Sequence, residues 1–394
     1  MKRFVYMVLT AAVLLTLPLY VSANDILGEV DYLEGGVEVH RNGKLLSANE
    51  VDIGLQIEKF DLIKTTKNGY AEVSVNSSSS NGMVVKVRPD TAFYFDMEVK
   101  GGAAQSNFKL LSGSLSLKVS KLTGSGGVNV STESAVMGVR GTEFTVTAAP
   151  EGSILVSCTE GKVAITDESG KSSIAEPGKA VEQDRDKQLK NISVSSSGLE
   201  NFQKSWVEQK IQDFLPTALP VLRGYSRTYQ DLYDKFIPAY NELMKNRKVF
   251  EKYAGQSSSS MGMGQAVIDR RAVSPGVIKM RSILPLFELY YYRISGVKEI
   301  MISGNVRQSM TGFNAADFFK TFDSHQSIFS ASDMSSSGLQ SPALLAIQRN
   351  RQVLEWKLAQ ARYFLKVFAA MSVGEDDGFS SGLDSFSSDD PFSF

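Results

Sequence analysis

Few residues of this chain are of the types that do covalent or metal chemistry. Its 394 residues include two histidines, His40 and His325, and one cysteine, Cys158. The histidines fall in halves of the chain with different patterning, and no Cys/His cluster has the spacing of a zinc site. There is no G-x-S-x-G elbow, Walker loop or dinucleotide fingerprint. Gly124-Ser125-Gly126-Gly127 is glycine-rich, but no helix follows to make a phosphate cradle. Cys158 ends the run Ile154-Leu155-Val156-Ser157-Cys158. There Ile154, Val156 and Cys158 share one strand face, so Cys158 reads as a small buried apolar residue. Paired carboxylates are not addressed by spacing, since distance along the chain does not report distance in space. The expectation is a non-enzymatic protein with no cofactor, no metal and no catalytic residue. Tyr225, Tyr229, Tyr233 and Tyr240 lie at mostly helical spacing and Tyr290-Tyr291-Tyr292 form a run. Tyrosines stack on sugars and enrich interfaces; the simpler expectation is that these line a core or its rim.

Charge narrows the partners. Lys and Arg total 42, Asp and Glu 43, for a net charge of −1. That balance, with no basic stripe, argues against nucleic acid. A single cysteine allows no internal disulfide, so stability must come from packed cores. Lys2 and Arg3 precede an apolar run from Phe4 to Tyr20, and Val21-Ser22-Ala23 supplies small residues at a cleavage site. This pattern reads as a secretory signal peptide over 1–23, cleaved after Ala23. Retained, it would be a membrane anchor. Processing would place the chain in the periplasm, with no transmembrane span after it.

The elements that must position any site change character near residue 195. Segments such as Gly36-Val37-Glu38-Val39-His40, Ala71-Glu72-Val73-Ser74-Val75 and Ser114-Leu115-Ser116-Leu117-Lys118-Val119 alternate apolar and polar residues. That is the period of a strand with one buried face. Turn residues punctuate them, most sharply at Asn42-Gly43, which suits a type I′ turn. About a dozen short strands at ~8–12-residue spacing indicate a sandwich, a barrel or a short solenoid.

These residues carry a resemblance. Ser134-Ala135-Val136-Met137-Gly138-Val139-Arg140-Gly141-Thr142-Glu143-Phe144-Thr145-Val146 is similar to the Gly-Val-Arg-Gly-Thr-Glu-Phe core of the FecR domain. Phe60-Asp61-Leu62-Ile63-Lys64-Thr65 resembles the family's G-D-x-I-x-T segment, with Phe60 where the family has Gly. Gly69–Val73, Val87–Thr91, Leu111–Leu115 and Glu160–Val163 follow in the family's order. Residues ~26–183 thus resemble a FecR domain. The resemblance implies a periplasmic sensing or interaction module. In the signature, Gly138 and Gly141 would permit a tight bend or bulge. Val139, Phe144 and Val146 would be core, and Arg140 and Glu143 would pair or cap backbone. The alternative makes Arg140 and Glu143 a ligand-contacting pair. Full-length FecR-type regulators carry a cytoplasmic helical segment and a membrane helix ahead of this domain. Here only Met1 to Arg3 precede the apolar run, so anti-sigma activity is not expected to transfer.

The second half reads as helix. Expected helices cover ~198–214 (Phe202, Trp206, Ile211 and Phe214 inward, broken or kinked by Pro216 and Pro220), ~221–253, ~275–303, ~314–330 and 341–371. The last has Ser341 as N-cap. Its apolar seam runs through Leu344, Ile347, Leu354, Leu358, Ala361, Leu365 and Phe368, with Arg351 at the edge. An antiparallel bundle is expected. Ser257–Gly264 and Ser335–Gly338 read as loops. The Ser-rich acidic end from Gly374 reads as a disordered tail.

The expected organisation is therefore α+β and two-domain. An all-β FecR-like domain (24–185, antiparallel sandwich or short β-solenoid) leads through a linker (186–197) to an all-α helical bundle (198–372) and a tail (373–394). The expected function is an exported binding or scaffold protein whose partner is an envelope protein or a peptidoglycan/glycan ligand. The alternative is an envelope sensor relaying a ligand signal to a membrane partner.

Overall fold

A computed structural model of the chain describes residues 26–77, 80–100, 103–120, 127–139, 141–167, 169–253, 263–325 and 353–371. The expected signal peptide, the loop residues 257–262 and 335–338, the helix start at 341–352, and the tail lie outside the described residues.

Alternation in the first half builds two sheets with one core. Strands are numbered in chain order. The first sheet runs β4 (Gln56–Glu58), β1 (Ile26–Glu34), β6 (Tyr70–Ser77), β7 (Ser80–Val87), β9 (Ala103–Val119), β12 (Glu143–Ala148), β13 (Ile154–Glu160), β16 (Lys179–Gln183), β17 (Leu189–Ser193). The second runs β3 (Lys44–Leu45), β2 (Val37–Arg41), β5 (Leu62–Thr65), β8 (Ala92–Lys100), then β9 again, β10 (Gly127–Ser131), β11 (Ala135–Val139), β14 (Val163–Asp167), β15 (Ser172–Ala175). The pairings are antiparallel except β9 with β10, which is parallel. Val30, Val73, Val85, Leu117 and Val146 of the first sheet share a core with Val39, Ile63, Phe93, Met137 and Ile165 of the second. Burying each such side chain contributes about 1.5–3 kcal/mol. The result is a β-sandwich. Strand β17 falls inside the segment expected to be linker, so the β-domain continues through Ser193.

The two sheets are joined by β9. Its residues up to Ser112 pair with β8, and those from Gly113 pair with β12. Gly113 has φ +85°, a conformation that favours glycine. The register with β8 skips Leu111. Ordinary strand alternation puts the consecutive leucines on opposite faces: Leu110 enters the sandwich core, while Leu111 faces the helices.

The helical half contains α1 (Leu199–Phe214), α2 (Ala218–Lys245), α3 (Arg247–Tyr253), α4 (Met263–Ser303), α5 (Ala315–Ser324) and α6 (Val353–Ala370). Three expected boundaries are corrected. The helix expected over ~221–253 is two, α2 and α3, divided at Asn246. Pro220 lies inside the first turn of α2, where a missing N–H costs little. The helix expected from ~275 starts at Met263 and runs 41 residues through Pro275 and Pro285. Met263 and Gly264 are therefore helix rather than loop. An internal proline costs about 3 kcal/mol; burial of Ala266, Val273, Val277 and Met280 along the same helix opposes it. Asn314 caps α5, its side chain accepting from the backbone N–H of Ala316. No helix among the described residues is long and apolar enough to cross a membrane.

The helices close over both outer faces of the sandwich. On the second sheet, Leu62, Ala92 and Leu111 join the core built by α2, α4 and α6. On the first sheet, Trp206 of α1 packs with Ala149, Leu155 and Ala180. Both faces of β13 are thus covered, and its residues Ile154 to Cys158 are all buried.

Candidate functional site

The signature segment divides between core and turn. Val139, Phe144 and Val146 are buried in the sandwich, as expected. Gly141 has φ +62°, and a bulge separates Glu143 from Phe144 in the pairing with β13. Gly138, by contrast, sits in ordinary strand pairing opposite Asn129, without positive φ. Thr142 is buried and its backbone carbonyl accepts from Val119 N. Glu143 pairs with Lys118 at 3.3 Å. Arg140 lies outside the described residues. Phe60, standing where the FecR pattern has Gly, adopts φ +66°, a strained conformation for a bulky residue.

The charges that come together are elsewhere, at the seam between the domains. Strand alternation places Leu62 and Lys64 of β5 on the face turned to the helices. Lys64 Nζ meets Glu355 of α6 at 2.8 Å and Glu38 of β2 at 3.4 Å, and lies 6.0 Å from the Tyr292 ring centroid. His40 Nε2 is 3.8 Å from the Glu38 carboxylate, an electrostatic contact rather than a hydrogen bond. The His40 ring and the Lys64 ammonium outweigh burial and hold the Glu38 carboxyl down, at about 2. Burial opposes the Lys64 charge, but Glu355 and Glu38 overcome it and raise its pKa.

Further links stitch the same seam. The Asn42-Gly43 turn has φ +49° and +75°, as a type I′ turn requires, and Gly43 packs directly against Gln360 of α6. Lys366 of α6 reaches Glu58 at 3.5 Å, and Glu58 also meets Arg41 at 3.3 Å. Arg41 in turn grips Asp61 at 2.6 Å. On the other sheet, Glu182 accepts from Trp206 and Lys210 of α1, and Gln203 donates to Ser157. Arg293 of α4 pairs with Glu133 and stacks over Tyr225. Within the helices, Arg362 of α6 pairs with the fully buried Glu288 of α4. Arg362 also lies over the ring of Tyr94 from β8.

Between the sandwich and α4 lies a cavity of about 910 Å³, lined among others by Lys64, Asp90, Glu133, Tyr292, Arg293 and Glu355. Its volume lies in the range of small-molecule sites, and domain interfaces are where such sites concentrate.

The two histidines stay apart. His40 belongs to the seam. His325 stacks on Tyr233 at 3.7 Å between centroids and is hydrogen bonded through Nδ1 to Tyr229 OH at 3.0 Å. Burial lowers its pKa. Tyr229 is fully buried among Phe287, Phe318 and Phe322, so it is core. Cys158 is buried in the sandwich, and burial pushes its thiol up to about 11. The sequence missed Lys64, Glu355, Glu288 and Arg362. Its one signal was a charge on an otherwise apolar face: Lys64 two residues after Leu62, and Glu288 between Phe287 and Leu289.

Residues 61–164 match the family described as FecR protein. Two crystal structures of a candidate anti-sigma factor from Parabacteroides distasonis ATCC 8503, at 1.65 and 2.50 Å, are similar at 17% identity with a TM-score of 0.30. The matches cover 36% and 35% of this chain, and the chain spans only 64% and 62% of those chains. No curated protein matches the sequence.

Proposed function

We propose, starting from a chain that carries a FecR domain, that it is a signal-relay component of the cell envelope. In this reading the sandwich receives a ligand or partner outside the cytoplasm, and the helical domain passes the change to a membrane-associated partner. One observation carries it: the seam around Lys64 and Glu355, where buried charge ties β5 to α6. A buried ion pair has few acceptable arrangements, because separating the partners leaves a desolvated charge. Such a joint transmits a shift instead of absorbing it, as coupling between sites demands. The FecR match favours relay over the plainer binding or scaffold role. The partner expected is an envelope protein or a wall glycan; the near-neutral charge speaks against nucleic acid.

The test is crosslinking and mass spectrometry in the intact envelope, with a photoreactive residue at the exposed Trp356 of α6. A partner captured there should change in yield when Lys64→Met cuts the seam. Recovery of the chain only from the cytoplasm, or capture indifferent to the seam, sinks the relay.

A further inference from the structure

We propose that the cavity between the domains binds a small organic cation, a primary ammonium with a short apolar body, seated on Glu355. The inference names the ligand class for the relay reading and rests on that reading only for its biological role.

Charge around the cavity gives the sign. Four of its lining residues are Lys or Arg, and each already holds a carboxylate: Lys64 with Glu355, Lys67 with Glu299, Arg293 with Glu133, Lys298 with Asp323. An anionic ligand would have to break one of these pairs. The carboxylates are in excess. Lys64 is shared between Glu355 and Glu38, so one ammonium there serves two carboxylates. Asp90 also lines the cavity, where burial and the neighbouring Glu299 push its carboxyl up.

Glu355 gives the place. It is 4% exposed. One carboxylate oxygen takes the Lys64 ammonium at 2.8 Å; the other is buried without a hydrogen-bond partner among the described residues. A buried carboxylate oxygen left unsatisfied is costly, and charge-assisted donation from an ammonium removes that cost. Tyr292, Leu289, Ile300 and Phe322 also line the cavity. They offer an apolar wall for a short alkyl chain and an aromatic face for a cation. Because Glu355 stands in the first turn of α6 while Asp90 and Lys64 belong to the sandwich, a cation there would touch both domains.

The probe is n-butylamine, with n-butanol as the uncharged match, added to the purified full chain and followed by thermal unfolding and calorimetry. Binding with a dissociation constant on the order of 1 mM is expected for so few atoms. The amine should raise the unfolding midpoint and the alcohol should not. Glu355→Gln should weaken amine binding at least about tenfold, the loss expected of a charge-assisted contact. If that variant does not fold, the amine–alcohol contrast on the wild-type chain still decides. Equal effects of amine and alcohol, no effect of either, or undiminished binding by Glu355→Gln would overturn the proposal. Because the purified chain is used, failure here leaves the envelope crosslinking result untouched, and the reverse.

Discussion

Lys64 and Glu355 are 291 residues apart in the chain and 2.8 Å apart in the fold. Neither domain can complete this pair alone, and Glu355 has almost no access to water. Removing one partner of a buried pair strands the other. Lys64→Met should therefore cost about 3 kcal/mol in chemical denaturation, at the low end because Lys64 keeps some solvent contact. Lys64→Met with Glu355→Met should cost less than the sum of the single changes. Strict additivity in that double-mutant cycle would remove the seam from the account.

Acid should loosen the same seam through Glu38. Its folded pKa is depressed to about 2 from an ordinary 4.5, so the unfolded chain takes up the proton first. The stability it contributes is complete above pH 4.5 and is lost as pH falls toward 2. Denaturation midpoints measured across that range should fall less steeply in Glu38→Gln than in the wild-type chain.

His325 makes a second acid-sensitive point at a higher pH. Its pKa is lowered from 6.5 by burial against Tyr233 and Tyr229. A histidine depressed in the fold binds its proton more readily when unfolded, so stability drops as pH falls below about 6.5. His325→Phe should flatten that part of the profile. An unchanged slope between pH 7 and pH 5, approximate bounds set by the histidine range, would show that the ring titrates freely.

Gly113 is the bend in β9. At φ +85°, an added Cβ would stand 2.5 Å from the Asp90 carbonyl oxygen. Gly113→Ala should destabilise by more than about 1 kcal/mol. Gly127→Ala, with open space around it, should not. Equal midpoints for the two variants would contradict the bend.

Cys158 should resist alkylation. A thiol buried and raised to about 11 is neither accessible nor nucleophilic at neutral pH. Iodoacetamide should label it only at the rate of unfolding. Prompt labelling of folded protein would show that the strand face is open.

Much of the β-domain was legible because one buried face leaves a two-residue signature. Val139, Phe144 and Val146 fell in the core, and the Asn42-Gly43 turn formed, on local rules alone. In α6, Leu354, Leu358, Ala361 and Phe368 are buried as their spacing predicted. What local rules could not deliver was partnership. Leu110-Leu111 reads as a pair of apolar residues on opposite faces; only the fold reveals that each face meets a different core. The helix expected from about 275 starts earlier, at Met263, and one of its contacts, Gly276 against Leu243 of α2, is remote in sequence. The expected edge residue Arg351 lies outside the described residues, while Arg362, unremarked in the same helix, is the buried one, because its acid sits on α4.

Helix α6 finishes what β5 begins, and synthesis runs in one direction. At roughly 5–20 residues per second, the ribosome delivers Glu355 some 15–60 seconds after Lys64. Through that interval α2 and α4 alone cover Leu62, Ala92 and Leu111, and the part of the flank that α6 closes stays open. A chain built this way needs either a holding chaperone or a delay in collapse until its last helix is free.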